Sequence, residues 1–396
     1  MTLDQLRETV VDCNREGRGI EIQGGSTLRG FGSPACAEVK LTTTGLHRML
    51  AHNHEDLTCS TQCGIRVEAF AELLAQRGQF VPIDVPLRRK ATIGGALASG
   101  WLGPRRHFYG RARDFVIGSQ VLLADGTVAN AGGMVVKNVS GYDMSKLYVG
   151  SFGTLGIITQ ANFKTLPLPQ RRRALIAKLP EGTRARAAAQ VASCATAPAA
   201  ALCIEGFRKS IDGEDGVDGR MFLLLEGSSA IVERATRDLR SALGRAGVPE
   251  TTIVDTGVSE AFERVLDACI ATLGERSITY RDLGLPGDAI DRAAALRDAA
   301  NRRELFTDVL ADVMNGDVFL RVSDRDSRAF AQKIEACDDE VRGLRPHSVI
   351  AAGDAPVRSS LSAWGVDPPA IGKMRELKNR FDPHGTFNRG RFAGGI

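Results

Sequence analysis

The chain has 396 residues, 51 of them Lys or Arg against 47 Asp or Glu, for a formal net charge of +4. That length is more than one core of ordinary size accommodates, so two or three lobes are expected. The 43% hydrophobic and 25% charged fractions are those of an ordinary globular protein and exclude a disordered chain. The basic runs Arg88-Arg89-Lys90, Arg105-Arg106 and Arg171-Arg172-Arg173 are short and separated by apolar sequence, so no nucleic-acid-binding face is expected. Arg171–Arg173, after Pro167 and Pro169, reads as a solvated linker.

The N-terminus reads as an amphipathic helix rather than a signal peptide. Leu3, Leu6, Val10 and Cys13 share a face, and Thr2 with Gln5 makes a capping box. No stretch reaches the roughly 18 apolar residues of a spanning helix. Eight cysteines lie without a CxxC pair, which fits reduced thiols in the cytoplasm. Ile20–Gln23 reads as a strand running into Gly24-Gly25-Ser26-Thr27. Leu57–Cys63 reads as a strand with Cys59, Thr61 and Cys63 on one face. Val67, Phe70, Ala71 and Leu74 mark a helix that Gly78 ends. Val116–Ala124 is a strand before the hairpin turn Asp125-Gly126, and Leu155–Leu166 closes this region as another.

After Pro169 the pattern becomes α/β. Ala174–Leu179, Ala201–Phe207 and Met221–Glu226 read as strands, with helices over Arg184–Ala195 and through Val232, Ala235, Leu239 and Leu243. A second set follows: strand Ser277–Leu283, helix Asp288–Val313, strand Val318–Val322, helix Ser327–Val341, strand Ser348–Ala352. Two such units predict an antiparallel sheet with helices on one side, a ferredoxin-like layer. A last helix is expected from Asp367 as cap, with Pro368 in its first turn. Ile371, Met374, Leu377 and Phe381 share its face, and Asp382-Pro383-His384-Gly385 ends it.

Gly24-Gly25-Ser26-Thr27 follows a strand with no side chain at its first two positions. Such a loop lets successive backbone N–H groups converge on a phosphate; the plainer reading is a turn that needs positive φ. It is neither a P-loop nor a Rossmann fingerprint. Ala91-Thr92-Ile93-Gly94-Gly95-Ala96-Leu97-Ala98-Ser99-Gly100 is small-residue backbone that a bulky planar or pyrophosphate ligand can approach. Two such stretches about 70 residues apart fit one long ligand. Two other groupings have plainer explanations. His52, His54, Cys59 and Cys63 can be drawn as a metal site, but they read as strand and core residues, so no metal is expected. Lys137, Tyr142 and Asp143 read as a packed loop rather than as catalytic groups.

The second stretch, Gly103–Gly110, Arg113-Asp114, Lys137–Asp143, Lys146-Leu147 and Gly150–Ile157 together resemble the FAD domain of the vanillyl-alcohol-oxidase/PCMH superfamily. The tail Phe381–Phe392 resembles that superfamily's returning C-terminal segment. With Gly103-Pro104-Arg105-Arg106 and Trp364, the chain is most similar to the FAD-binding subunits of bacterial glycolate oxidases. The resemblance is strong over residues 20–170 and moderate over 345–392. It implies an α+β fold: a PCMH-type two-lobed FAD-binding domain over 1–170, a ferredoxin-like cap over 171–345, and a segment 346–396 returning to the FAD domain, with FAD in the cleft between them.

The resemblance assigns the pyrophosphate to Gly24, Gly25, Ser26 and Thr27, and the second side of the cofactor to Thr92, Gly94, Gly95, Ala98 and Ser99. Tyr109 and Gly110 would stand close by, and Pro86 would turn the chain into the second loop. Gly156, Ile157 and Ile158 would meet the adenine or ribose end, and Asn388 would face the isoalloxazine ring. The family's Asn-Pro-Gly reads Asn388-Arg389-Gly390 here. The first loop has no His or Cys to attach flavin and His107 is a poor candidate, so FAD is expected to be non-covalent. The family's late His-x-Gly-Asp-Gly-Asn-x-His metal motif is missing, since His347 is followed only by Gly353-Asp354, and no catalytic base is assigned. By resemblance the partners are a sister FAD subunit that oxidises glycolate to glyoxylate and an iron–sulfur subunit. Electrons would leave to a partner or to a quinone or dye acceptor, with membrane attachment only through partners. The alternatives are a self-sufficient FAD-dependent oxidase or dehydrogenase of a small 2-hydroxy acid such as D-lactate, and a flavin-binding scaffold without turnover.

Overall fold

Thr2 caps the first helix, Leu3–Glu16: its hydroxyl accepts from the Gln5 amide at 3.4 Å, while Gln5 Oε1 accepts from the Thr2 amide at 2.9 Å. Gly17, at φ 68°, ends it. The buried stripe Leu6, Val10 and Cys13 packs with Ile20, Leu41, Leu122, Ile157 and Phe387, so the N-terminal helix and a residue near the C-terminus share one core. The computed structural model describes residues 1–134, 142–180, 182–206, 219–274 and 276–396. Its contacts divide the chain into two units, one of Met1–Gly103, Gly110–Leu168 and Asp367–Ile396, the other of Pro104–Tyr109 and Pro169–Val366.

In the first unit, Ile20–Gln23 pairs in parallel with Val39–Thr42. A five-stranded antiparallel sheet runs in the order Met49–Asn53, Thr58–Gln62, Ile157–Lys164, Val116–Leu122, Val128–Gly132. Cys59 and Cys63 are fully buried, and His52 Nε2 lies 2.9 Å from Gln79 Oε1. Val39–Thr42 and Met49–Asn53 escaped the sequence reading because they are short and only partly buried.

The second unit is one eight-stranded antiparallel sheet built of two equivalent halves. In chain order each half runs strand, helix, strand, strand, helix, strand. The first half comprises Arg171–Leu179, Arg184–Ala192, Ala200–Glu205, Gly219–Gly227, Ser229–Arg245 and Thr251–Val254. The second comprises Ser277–Leu283, Ala289–Asn301, Phe306–Asp312, Asp317–Ser323, Ser327–Leu344 and Val349–Gly353. In both, the fourth strand flanks the first, and the second strands pair antiparallel at the join. Val191, Leu239, Leu296 and Phe330 carry the four helices onto one face. On the other, Phe262 of Val258–Ala268 stacks on Phe222 with ring centroids 6.3 Å apart.

Several expectations need correcting. Arg171–Arg173 is not a linker but the start of a strand; Arg173 is buried, with Asp255 and Glu233 holding its guanidinium at 2.8 and 3.0 Å. The helix expected over Asp288–Val313 stops at Asn301. Glu304 turns the chain at φ 54° with no glycine to signal it, and Phe306–Asp312 is a strand. Val349–Gly353 is an edge strand of the eight-stranded sheet, so contacts place 346–366 in the second unit and the return begins at Asp367. The last helix begins at Ile371 rather than on an Asp367 cap, and its buried residue is Lys378. Phe207 and Lys137–Gly141 lie outside the described residues.

Asp312 closes its strand with a buried carboxylate. Oδ1 accepts from the Met314 and Asn315 amides, both at 3.1 Å, and Oδ2 from Asn315 Nδ2 at 2.8 Å. Burial, reinforced by the Asp317 carboxylate, pushes its pKa up to about 7. Between pH 4 and 7 the folded state therefore holds a proton that the unfolded chain has lost, so this group's contribution to stability falls as pH rises through that window. Urea denaturation should show wild type losing stability relative to Asp312→Asn from pH 4 to pH 7, by on the order of 2 kcal/mol.

Candidate functional site

The turn at Gly24-Gly25-Ser26-Thr27 is governed by close approach. A Cβ on Gly25 would lie 1.8 Å from the Lys90 carbonyl oxygen, and one on Gly24 would lie 2.2 Å from Thr92 Oγ1. Only glycine lets this loop lie against the 90–92 backbone. Positive φ falls instead on Ser26, at 55°. Among the described residues, no acceptor receives a hydrogen bond from the amides of Gly24, Gly25, Ser26 or Thr27. Among the described residues these four successive N–H groups are thus left to solvent or to a ligand, and an anion is the ligand such a loop suits.

The second stretch works differently. Thr92 caps the short helix Ile93–Ser99 and its Oγ1 accepts from the Gly95 amide at 3.2 Å. The Ile93 amide donates to the Ile65 carbonyl at 3.0 Å and that of Gly94 to the Cys63 carbonyl at 2.7 Å. Ser99 Oγ donates to the Ala96 carbonyl. These amides are already used, so what this stretch offers a ligand is a wall without bulk.

The C-terminal segment closes the site. Ile20 donates to the Thr386 carbonyl at 2.6 Å and the Asn388 amide donates to the Ile20 carbonyl at 2.9 Å. Asn388, buried and at φ 42°, accepts at Oδ1 from the Ile22 amide at 2.8 Å and donates from Nδ2 to the Phe152 carbonyl at 2.7 Å. Behind it, the buried Lys378 ammonium meets Asp382 Oδ2 at 2.5 Å and the carbonyls of Thr154 and Phe387 at 2.8 and 2.9 Å. Burial pulls the Lys378 ammonium down from its ordinary value, and Asp382 opposes that. Asp382 in turn accepts from the amides of Thr386 and Phe387.

These elements line a cleft of about 900 Å³, counting the open space at its mouth. All of its lining comes from the first unit. Gly24, Gly25, Ser26, Thr27, Thr92, Gly94, Gly95, Ala98, Ser99, Gly156, Ile157, Ile158 and Asn388 line it together. Pro86 does not, although its neighbour Val85 does. Gly110 also stands apart, and Tyr109 belongs to the second unit, where it hydrogen-bonds Glu226 and burial pushes its hydroxyl pKa upward. Sequence reasoning missed Glu21, Arg29, Phe152 and Arg391 in the lining. No local motif pointed to Glu21, Arg29 or Arg391; of the six described non-glycine residues at positive φ, three (Ser26, Phe152 and Asn388) line this one cleft.

Residues 1–132 match the family described as FAD binding domain. The chain binds FAD. Along 98% of its length this FAD-binding protein is 26% identical to glycolate oxidase subunit GlcD of Bacillus subtilis (strain 168), covering 86% of that protein. Over 170 residues, 42% of the chain and 47% of the relative, it is 33% identical to glycolate oxidase subunit GlcE of Escherichia coli (strain K12). Its fold is that of alkyldihydroxyacetonephosphate synthase, with a TM-score of 0.69 at 14% identity over 97% of this chain and 75% of that one.

Two outcomes follow from the loop geometry. Saturating FAD at about 100 times its Kd should add about 2.7 kcal/mol to stability and raise the melting temperature measurably. Gly25→Ala, which drives a methyl into the Lys90 carbonyl, should abolish that FAD-dependent rise, as read by thermal denaturation with and without cofactor.

Proposed function

We propose that this FAD-dependent oxidoreductase is a flavoprotein subunit of a glycolate oxidase-type complex, taking part in the oxidation of glycolate to glyoxylate. One observation carries the reading: a cleft whose four successive unpaired amides suit a diphosphate, in a chain that resembles a glycolate oxidase subunit along nearly all its length. In this reading the amides of Gly24–Thr27 hold the diphosphate without neutralising it by a lysine, as a turn of convergent N–H groups can. Thr92, Gly94, Gly95, Ala98 and Ser99 supply the flat wall. Gly156, Ile157 and Ile158 face the adenine or ribose end. Asn388 contributes by posture: its amide bonds Ile22 at one end and Phe152 at the other, so it fixes the cleft's edge.

Bound non-covalently, FAD would serve this chain in electron transfer or structure, the hydride of the hydroxy acid being taken by the sister subunit. The chain's own residues exclude water along the wall and orient the cofactor. A sister FAD subunit and an iron–sulfur subunit are the proposed partners, with electrons leaving through them to a quinone or dye acceptor.

The purified chain, loaded with FAD and held anaerobic, should keep its oxidised visible spectrum when glycolate or D-lactate is added, and should bleach with glycolate only once the sister subunit is present. Bleaching of the isolated chain by either acid would overturn the subunit reading in favour of an independent 2-hydroxy-acid dehydrogenase.

A further inference from the structure

An amide row with no acceptor among the described residues has no hydrogen bond of its own to hold it in place, so something outside the loop must hold it. On the strand side that is Asn388, through the Ile22 amide. On the far side it is Arg391. Its Nη2 donates to the Leu28 carbonyl at 2.9 Å, and its Nη1 donates to the Ser33 carbonyl at 2.8 Å and the Arg29 carbonyl at 3.4 Å. The two clamps sit three residues apart on one tight turn, closed by the Arg391 amide donating to the Asn388 carbonyl at 3.0 Å and by Gly390 at φ 79°. Leu28, Arg29 and Arg391 line the same cleft as Gly24–Thr27.

We propose that Arg391 is a positioning residue for the cofactor's diphosphate, its guanidinium fork gripping the carbonyls just beyond Thr27 so that the Gly24–Thr27 amides stay aimed at one point. The inference rests on the reading that this loop holds the diphosphate. The planar fork matters because it reaches carbonyls on both sides of the 28–33 turn at once, each through a charge-assisted bond. A lysine keeps the charge but not the fork.

The test compares two ligands that share the flavin ring and differ in the diphosphate. Apoprotein of wild type, Arg391→Ala and Arg391→Lys is titrated with FAD and with riboflavin by flavin fluorescence. Arg391→Ala should weaken FAD about tenfold or more while changing riboflavin by less than about twofold, and Arg391→Lys should fall between wild type and Ala for FAD alone. A purely structural role predicts equal losses for both ligands, and that result, or unchanged FAD affinity, overturns the proposal. Should Arg391→Ala not fold, Arg391→Lys serves in its place: a loss confined to FAD supports the proposal, and equal losses or none overturn it. Failure of the underlying reading shows separately: wild type itself would then bind FAD no more tightly than riboflavin, and the role given to Arg391 would fall with it.

Discussion

Four successive backbone N–H groups, at Gly24–Thr27, with no acceptor among the described residues are the constraint around which the first unit is arranged. These residues are half-buried or exposed, so water or a ligand can meet the groups, and a loop free to move would turn them toward nearby carbonyls. Two devices prevent this. Glycine at 24 and 25 lets the loop lie against the Thr92 side chain and the Lys90 carbonyl. The C-terminal segment then holds it from outside, through Ile20, Ile22 and the carbonyls of 28–33. The segment is itself fixed by the buried Lys378–Asp382 pair, whose remaining donors and acceptors are met by the backbone. That full satisfaction is the condition under which a buried ion pair is tolerated.

The second unit solves a different problem with the same chemistry. Glu226 is buried on the sheet face opposite the four helices. It receives Arg105 at 3.1 Å on both oxygens and Arg172 Nε at 2.7 Å. Arg106 grips Asp317 at 2.5 Å, and Arg281 meets the same carboxylate. These pairs bind Pro104–Tyr109 into the second unit although the residues on either side of it belong to the first. The assignment of Tyr109 to the second unit follows, since the arginines beside it have buried carboxylate partners within that unit.

What could be read from the sequence was whatever one local rule decides. The Thr2–Gln5 capping box and the Asp125-Gly126 turn each declare themselves within a few residues. The loop at Gly24 was legible as a turn without side-chain bulk at its first two positions, though for a mixed reason, since its glycines answer to contact with Lys90 and Thr92 and the left-handed residue is Ser26. The strand at Arg171 was not legible, because a triple arginine reads as solvent-facing until Asp255 and Glu233 are known to lie beside it. The strand Phe306–Asp312 hid behind an alanine-rich helix whose end lacks a glycine. Arg391 was invisible for the same kind of reason: its partners are carbonyls some 360 residues earlier.

The departure at Arg389 shows how such long-range partners can replace a local device. Proline after Asn388 would restrict φ and remove an N–H. Here Arg389 Nε donates to the Gly385 carbonyl at 3.0 Å, and Nη2 donates to those of His384 and Gly17 at 3.2 and 3.4 Å, while its own carbonyl accepts from the Cys36 amide at 2.7 Å. The side chain spans from the Asp382–Gly385 turn to the end of the first helix, so it restrains the turn by bonds at both ends where proline would restrain it by covalent geometry. Asn388 keeps its left-handed conformation and both side-chain bonds. The feature the cleft requires is therefore the posture of Asn388, and a guanidinium bonded to three carbonyls secures it without the ring.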